Sequence, residues 1–330
     1  MNSISNSKLT FPFVGLLALG ILLGGCATRT ATQTNAARPY CDPTPRLAVL
    51  SAFEPELAKL RAATQVREVR VLNGRSFYVG RLAGKDVVLS LSGISMVNAA
   101  MTTQDLLDHF TVREIIFSGI AGGVNPGLNV GDVTVPAEWG EYQEQVFARE
   151  TADGWDLGRF GREFSNYGMM FPKRVAVTRR GGRPDQPEEQ FWFPADPEGL
   201  QTARRIAGQV TLSRRTEDGR SLSAEPRVVV GGHGVSGPTF VDNAAYRQWV
   251  WQTFQADALD METAAVAQVA WVNQVPYIGF RSLSDLAGGG PGGNELPVFF
   301  KLAADNSAAV VLAYVRAFGE HPADQPGKSP

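Results

Sequence analysis

Three carboxylates stand where apolar strands run out. Glu56 follows RLAVLSAF, Asp285 closes VPYIGFRSLSD, and Glu262 opens the small, apolar run TAAVAQVAW with Asp260 and Met261 just before it. Polar groups keep them company: Ser92 ends VVLSLS, and Arg281, Ser282 and Ser284 share the last strand with Asp285. Carboxylates crowded in a low-dielectric crevice separate their pKa values, so one can hold a proton for a leaving group while another takes one from a nucleophile. General acid–base chemistry is what such a set offers. Each residue also has a plainer use. Glu56 suits the positive end of a helix dipole. Asp285 suits a turn ahead of Gly288-Gly289-Gly290. Glu262 suits a helix start capped by Asp260, and Ser92-Gly93 a strand-to-helix turn.

The elements that must position these residues alternate in type. RLAVLSAF reads as a strand and EPELAKLRAA as a helix with Pro55 in its first turn, where proline is tolerated. VREVRVL and RSFYVGRLAGKDVVLSLS read as strands, with a turn at Ala83-Gly84-Lys85. Ser95 to Phe110 is helical, with Ser95 as its N-cap. VREIIFSG is a buried strand leading into GIAGGVNPG, and GDVTVPAEW and PRVVVGG are further strands. Helices follow near Ala244 to Phe254, after ADALDME, and over Leu296 to Phe318, with VPYIGFRSLSD between the last two. Alternation of this kind predicts an α/β fold with a largely parallel or mixed sheet. On open α/β sheets ligands bind beyond the carboxyl ends of strands, and the polar clusters fall there. Residues 139–200, rich in aromatics, proline and charge, read as an elaborated insertion.

Composition removes several function classes. Of 330 residues, 44% are hydrophobic and 19% charged, enough for a sizeable core. The formal net charge of −2 and the lack of a long basic run argue against a nucleic-acid partner. His109, His233 and His321 have no ligand spacing with one another or with cysteine, so no metal site is expected. The glycines of GIAGG lack a dinucleotide fingerprint, and no Walker-type lysine follows them, so no cofactor is expected.

The N-terminus reads as an address. Lys8 precedes FPFVGLLALGILLGG and then Cys26, the order of a signal peptide over residues 1–25. Leu23-Gly24-Gly25-Cys26 resembles the lipobox of bacterial lipoproteins, which implies a lipid on Cys26 and a tether rather than a span. The expected place is the cell envelope, on the periplasmic side of the outer membrane. Residues 26–45 are then the lipidated cysteine and a flexible linker, residues 46–320 the domain, and residues 321–330 a tail. Cys41 is left as the one remaining thiol, free or paired between chains.

The carboxylates sit inside six longer stretches: LAVLSAFEPELAKL, VVLSLSGISMVNAA, IIFSGIAGGVNPGLNVGDVTVP, SGPTFV, LDMETAAVAQVA and VPYIGFRSLSDLA. In this order, from residue 46 to about 318, the chain resembles the nucleoside phosphorylase/nucleosidase superfamily, and most closely its 5′-methylthioadenosine/S-adenosylhomocysteine nucleosidases. The resemblance implies a single α/β domain with a central mixed, partly barrel-like sheet flanked by helices, and hydrolysis of the N-glycosidic bond of a purine nucleoside. It makes Glu56 the group that positions and deprotonates water, and Asp285 the acid that protonates purine N7. It places Glu262 on the ribose 2′ and 3′ hydroxyls, with Met261 packed on the sugar and the 5′ substituent. Ser92 and Arg281 fall near the water and Glu56, and Phe240 of SGPTFV stacks on the base. It also implies a homodimer whose partner chain closes the 5′ end of the pocket.

Phosphorylases of that superfamily bind phosphate with arginines in the first-strand loop and in the cluster after the fourth strand. Here those stretches read SAFEPEL and SGISMVN, with neither arginine nor lysine, so water is the expected nucleophile. A phosphorylase and a nucleoside-binding relative without turnover are the alternatives. Three departures bear on the 5′ substituent. Ser95 stands where many members have glycine, Pro238 stands where nucleosidases usually have aspartate, and GGGPGGNELPVFF has no clear match to the aromatic that covers the 5′-thio group.

Overall fold

A computed structural model describes residues 41–319. The expected signal peptide, Cys26, nearly all of the expected linker and the tail after residue 320 lie outside the described residues. Strand β1 (Asp42–Ser51) reaches back to Asp42, which pairs with Phe110 and binds Arg46 and Arg70 through its carboxylate. Helix α1 (Glu54–Ala62) follows, with Pro55 in its first turn. A meander of β2 (Gln65–Leu72), β3 (Arg75–Leu82) and β4 (Lys85–Leu91) comes next. Its two turns carry positive φ at both central residues, Asn73-Gly74 and Ala83-Gly84, the backbone that matches strand twist in a tight hairpin.

Helix α2 (Met96–His109) leads into β5 (Phe110–Gly123), the strand on which the architecture turns. The expected serine cap of α2 does not form. Ser95 occupies the N-cap position at φ 79°, ψ 156°, and its side chain makes no capping bond. The run GDVTVPAEW is two strands, β6 (Val133–Val135) and β7 (Glu138–Gly140), rather than one. Pro136 has no N–H to continue a ladder, and the chain changes partners there.

Residues 141–191 supply only short strands. They are β8 (Gln145–Phe147), β9 (Arg149–Thr151), β10 (Gly154–Asp156), β11 (Met170–Pro172), β12 (Val175–Val177) and β13 (Glu188–Gln190), paired as β8–β11, β9–β10 and β12–β13. Aromatic packing holds the segment down. Phe164 lies 4.3 Å from Phe191, which stacks on Phe254 at 5.5 Å between ring centres. The chain then adds β14 (Trp192–Pro194), α3 (Pro197–Ala207), β15 (Val228–Val230), β16 (His233–Ser236) and α4 (Ala244–Phe254). Strand β17 (Ala256–Asp260), α5 (Thr263–Asn273), β18 (Tyr277–Asp285) and α6 (Leu296–Ala317) complete it.

Twelve strands form one mixed sheet in the order β14-β7-β16-β17-β5-β1-β4-β3-β2, with β18, β6 and β15 branching from it. The branch starts at β5, which is parallel to β1 along its first half and to β18 along its second, and meets β17 antiparallel at Gly122-Gly123. Both faces of β1, β5 and β18 are buried, so these strands read as continuous apolar runs. Helices α1 and α3 pack on α6, and α2 packs on α5. Helix α6 is apolar and long enough to cross a membrane, yet over half of it is buried in this fold as a core helix. The carboxyl ends of β1, β4, β5 and β18 come out together, and β17 delivers the start of α5 to the same edge.

Candidate active site

Glu56 sits in the first turn of α1 and is 1% exposed. Its Oε2 accepts from the Ala52 N–H at 2.7 Å and the Phe53 N–H at 3.4 Å, and its Oε1 accepts from the Ile120 N–H at 2.8 Å. The helix-start use of this residue and its place in the site are thus compatible, because the carboxylate turns back across the helix end toward β5. Burial pushes its pKa up, and Arg281 and the three backbone donors oppose that.

Asp285, the last residue of β18, accepts from the Ala287 N–H and from the Ser284 hydroxyl, each at 2.8 Å. Burial raises its pKa, against those two hydrogen bonds, and Glu295 and Asp242 add to the rise. A raised pKa suits a carboxyl group that must still hold a proton when a substrate arrives.

Glu262 is the N-cap residue of α5 and is 5% exposed. Its carboxylate already has protein partners. Its Oε1 accepts from the Ser95 N–H at 2.8 Å, and its Oε2 lies 3.7 Å from Arg281 Nη2. Burial, helped by repulsion from Asp260, raises its pKa to about 7. Asp260 does cap the helix, accepting from the N–H groups of Glu262 at 3.3 Å and Thr263 at 3.2 Å.

Arg281 ties these carboxylates together from behind. It is 0% exposed, lies over the Phe117 ring at 4.2 Å, and approaches Asp260 at 2.7 Å, Glu56 at 3.6 Å and Glu262 at 3.7 Å. Gly119 makes this possible. A Cβ there would stand 1.8 Å from Arg281 Nη1 and 2.5 Å from Glu56 Oε1, so any other residue would collide with the pair. Gly122 likewise leaves room beside Asp285 Oδ1, 3.3 Å from where its Cβ would be. These glycines form no phosphate loop. They let charged side chains cross a strand at close range.

The carboxylates border one cavity of about 350 Å³. Glu56, Asp260, Glu262, Ser284 and Asp285 supply its polar wall, and Met261, Phe240, Ile94, Leu296, Pro297 and Phe300 are prominent in its apolar wall. Among the described residues, neither arginine nor lysine lines it. Of the residues singled out from sequence, Glu56, Asp285, Glu262, Met261 and Phe240 therefore meet at one site. Arg281 stands behind the wall. Ser92 is not part of it: its hydroxyl donates to the Gly93 carbonyl at 2.9 Å, and its own carbonyl accepts from the Thr102 hydroxyl at 2.9 Å. The sequence marks Asp260 only as a helix cap and Ser284 only as a polar neighbour of Asp285, and it gives Gly119 and the first turn of α6 no part in a site. The serine cluster before Asp285 pointed at Ser284, whereas nothing local marks Leu296 or Phe300. Among the described residues, no cluster of three His, Cys, Asp or Glu side chains could hold a metal ion.

A family profile described as the phosphorylase superfamily matches residues 46–316, most of the chain. The chain belongs to the phosphorylase superfamily. Within this superfamily it is similar to curated 5′-methylthioadenosine/S-adenosylhomocysteine nucleosidases. The one from Tolumonas auensis is 30% identical over 276 residues, covering 82% of this chain and 99% of that protein. The one from a Geobacillus species is 31% identical over 271 residues, covering 82% and 97%. Among solved superfamily structures, the Neisseria meningitidis nucleosidase in complex with methylthio-immucillin-A aligns with a TM-score of 0.62 at 28% identity. That alignment covers 83% of this chain and 99% of the other.

Proposed function

We propose that this protein is a purine nucleosidase that hydrolyses the N-glycosidic bond of 5′-methylthioadenosine, S-adenosylhomocysteine or a related adenosine and releases the free base. One observation carries the reading: four buried carboxylates, Glu56, Asp260, Glu262 and Asp285, border a cavity with neither arginine nor lysine among its described lining residues. Arg281, whose guanidinium lies behind the wall, is already engaged by Asp260, Glu56 and Glu262. That engagement, with the similarity to curated nucleosidases over nearly their whole length, supports hydrolysis over phosphorolysis.

The proposed chemistry divides the carboxylates. Glu56 takes a proton from water as the water oxygen bonds to C1′. The C1′–N9 electron pair withdraws into the purine, and Asp285 gives a proton to N7 so that the base leaves neutral. Glu262 accepts from the ribose 2′ and 3′ hydroxyls, and its negative charge stabilises the oxocarbenium-like sugar. Met261 and Phe240 pack on the sugar and the base. Leu296, Pro297 and Phe300 of α6, within the stretch that has no clear match to the superfamily aromatic, supply an apolar wall suited to a 5′-thio substituent.

The mature chain is tethered through Cys26 on the periplasmic side of the outer membrane, a reading that rests on the lipobox-like sequence. It works as a homodimer. Exposed Ile94, Val97, Met101 and Phe240 lie on and beside the cavity rim and support a second copy covering that face. Light scattering on the detergent-solubilised protein tests the dimer, and a Cys26→Ser variant that leaves the membrane fraction tests the tether.

The test of function is release of free base from methylthioadenosine, S-adenosylhomocysteine, adenosine and inosine, with and without phosphate. Phosphate-independent release of adenine is expected. A phosphate requirement would favour a phosphorylase, and tight binding without release a binding protein.

A further inference from the structure

Arg281 does not divide its charge evenly. Nε lies 2.7 Å from Asp260 Oδ2 and donates its hydrogen to the Thr263 hydroxyl at 2.8 Å, while Nη1 stops 3.6 Å from Glu56 Oε1 and Nη2 stops 3.7 Å from Glu262 Oε2. Nη2 is fully buried and makes no hydrogen bond. Asp260 is itself held by several donors. The hydroxyls of Ser236 on β16 and Thr263 on α5 both donate to it, and so do two backbone N–H groups of the α5 start. Three carboxylates thus face one guanidinium in a buried space, and the carboxylate outside the proposed chemistry has the closest grip.

We propose that Asp260 is a positioning residue: by pairing with the Nε edge of Arg281, with the Thr263 hydroxyl bridging the two, it leaves Glu56 and Glu262 with too little positive charge to be ionised together, so that the two share one proton while the site is empty. This rests on the nucleosidase reading for what the proton does next. When a nucleoside binds, its ribose hydroxyls donate to the Glu262 carboxylate and favour its charged form. The shared proton leaves to solvent, and Glu56 is free to accept one from water.

The groups facing the pair are consistent with this balance. Glu262 meets the Ser95 N–H from the turn before α2, Arg281 from β18, Asp260 from β17 and Glu56 from α1. Around Asp260 stand Arg281, Ser236, Thr263 and the buried phenols of Tyr142 and Tyr277. Burial, with Asp260 as a lesser contributor, holds both phenols well above their ordinary range, so they add no charge. In the cluster, burial and Asp260 push Glu262 up to about 7, and burial raises Glu56 against the pull of Arg281.

The experiment uses the full-length protein in detergent. Formycin A, a carbon-linked adenosine isomer that cannot be hydrolysed, is titrated calorimetrically at pH 7 in Tris and in PIPES. The wild type is expected to release protons on binding. Asp260→Asn keeps an acceptor for the α5 cap but frees Arg281 for the glutamates. It is expected to bind without proton release and to move the acid limb of kcat/KM down by about one pH unit or more, the usual effect of an opposite charge brought close. A folded Asp260→Asn whose activity falls equally at every pH, with no shift of the limb, overturns the proposal and leaves Asp260 a structural residue. Wild-type binding without proton exchange between about pH 6 and pH 8 overturns it too, and needs no variant should Asp260→Asn fail to fold. If the protein binds formycin A but releases no base from any nucleoside, the nucleosidase reading fails while the calorimetry still decides the proton.

Discussion

Strand β5 carries a buried carboxylate system near each end, and the two behave differently. Near its start, Glu114 is 2% exposed, and the Tyr314 hydroxyl donates to both of its oxygens at 2.8 and 2.9 Å. Near its end, the Ile120 N–H and the gap at Gly119 belong to Glu56 and Arg281. Burial raises Glu114 to about 8, much as it raises Glu262 to about 7. Burial and a displaced pKa therefore do not make a site. Glu114 has one neutral partner and does not line the cavity. The cluster at the other end has a shared cation, several fixed donors and a cavity wall. A buried carboxylate becomes chemically useful when its partners fix its direction and an open space lets a ligand compete for it.

Substitutions that separate the two ends break or sharpen this comparison. Glu56→Gln and Asp285→Asn should each lower kcat by about 10²–10⁴-fold, the usual worth of one acid or base, with little change in Tm. Glu114→Gln should leave kcat/KM at the wild-type value. If Glu114→Gln lost activity as deeply as the other two, the division between structural and chemical carboxylates would collapse. Glu262→Gln keeps an acceptor for the Ser95 N–H but loses the charge, so nucleoside affinity and turnover should fall by about 10–100-fold. Thermal melts then decide whether the loss is chemical: a protein that mainly unfolds would return Glu262 to the role of a helix start.

Smaller effects test the packing around the site. Gly119→Ala forces a Cβ into Arg281 and Glu56, and should cost about 1–3 kcal/mol of stability together with activity. Ser95 holds φ 79°, ψ 156°, a region suited to glycine, while its N–H orients Glu262. Ser95→Gly should relieve about 1 kcal/mol of that strain and leave the pH profile unchanged, as melting and kinetics would show.

The smallest effect lies at the quiet end of β5. Glu114 keeps its proton in the folded chain up to about pH 8, whereas its ordinary value is 4.5. Between those values the folded state holds a proton that the unfolded state has released. Stability contributed here is complete below 4.5, declines as pH rises through the window, and levels off above about 8. Tm measured from pH 6 to pH 9 should fall less in Glu114→Gln than in the wild type. Parallel curves would show that the buried pair does not titrate in this range.

Much of this was legible in the sequence, for identifiable reasons. Strands β1, β4, β5 and β18 announce themselves because burial on both faces demands continuous apolar runs, and Glu56, Glu262 and Asp285 stand out because each interrupts one. What stayed hidden is set by distant packing. The tight hold of Asp260 on Arg281 joins β17 to β18, and no spacing along the chain encodes it. Ser95 looks like a helix cap, yet the Glu262 carboxylate claims its N–H and sets its backbone. Leu296 and Phe300 read as ordinary helix residues until α6 is laid beside the cavity. The short strands of residues 141–191 depend on aromatic contacts with α4, far along the chain, and carry no period of their own.

The central claim is that water, activated at Glu56, displaces a purine protonated by Asp285. Turnover of methylthioadenosine in ¹⁸O-labelled water, with phosphate present, tests it most directly. The account predicts free adenine and a sugar carrying one ¹⁸O at C1′, with both products lost in Asp285→Asn although that variant melts like the wild type. A glycosyl phosphate without label, or base release that survives in Asp285→Asn, would contradict it.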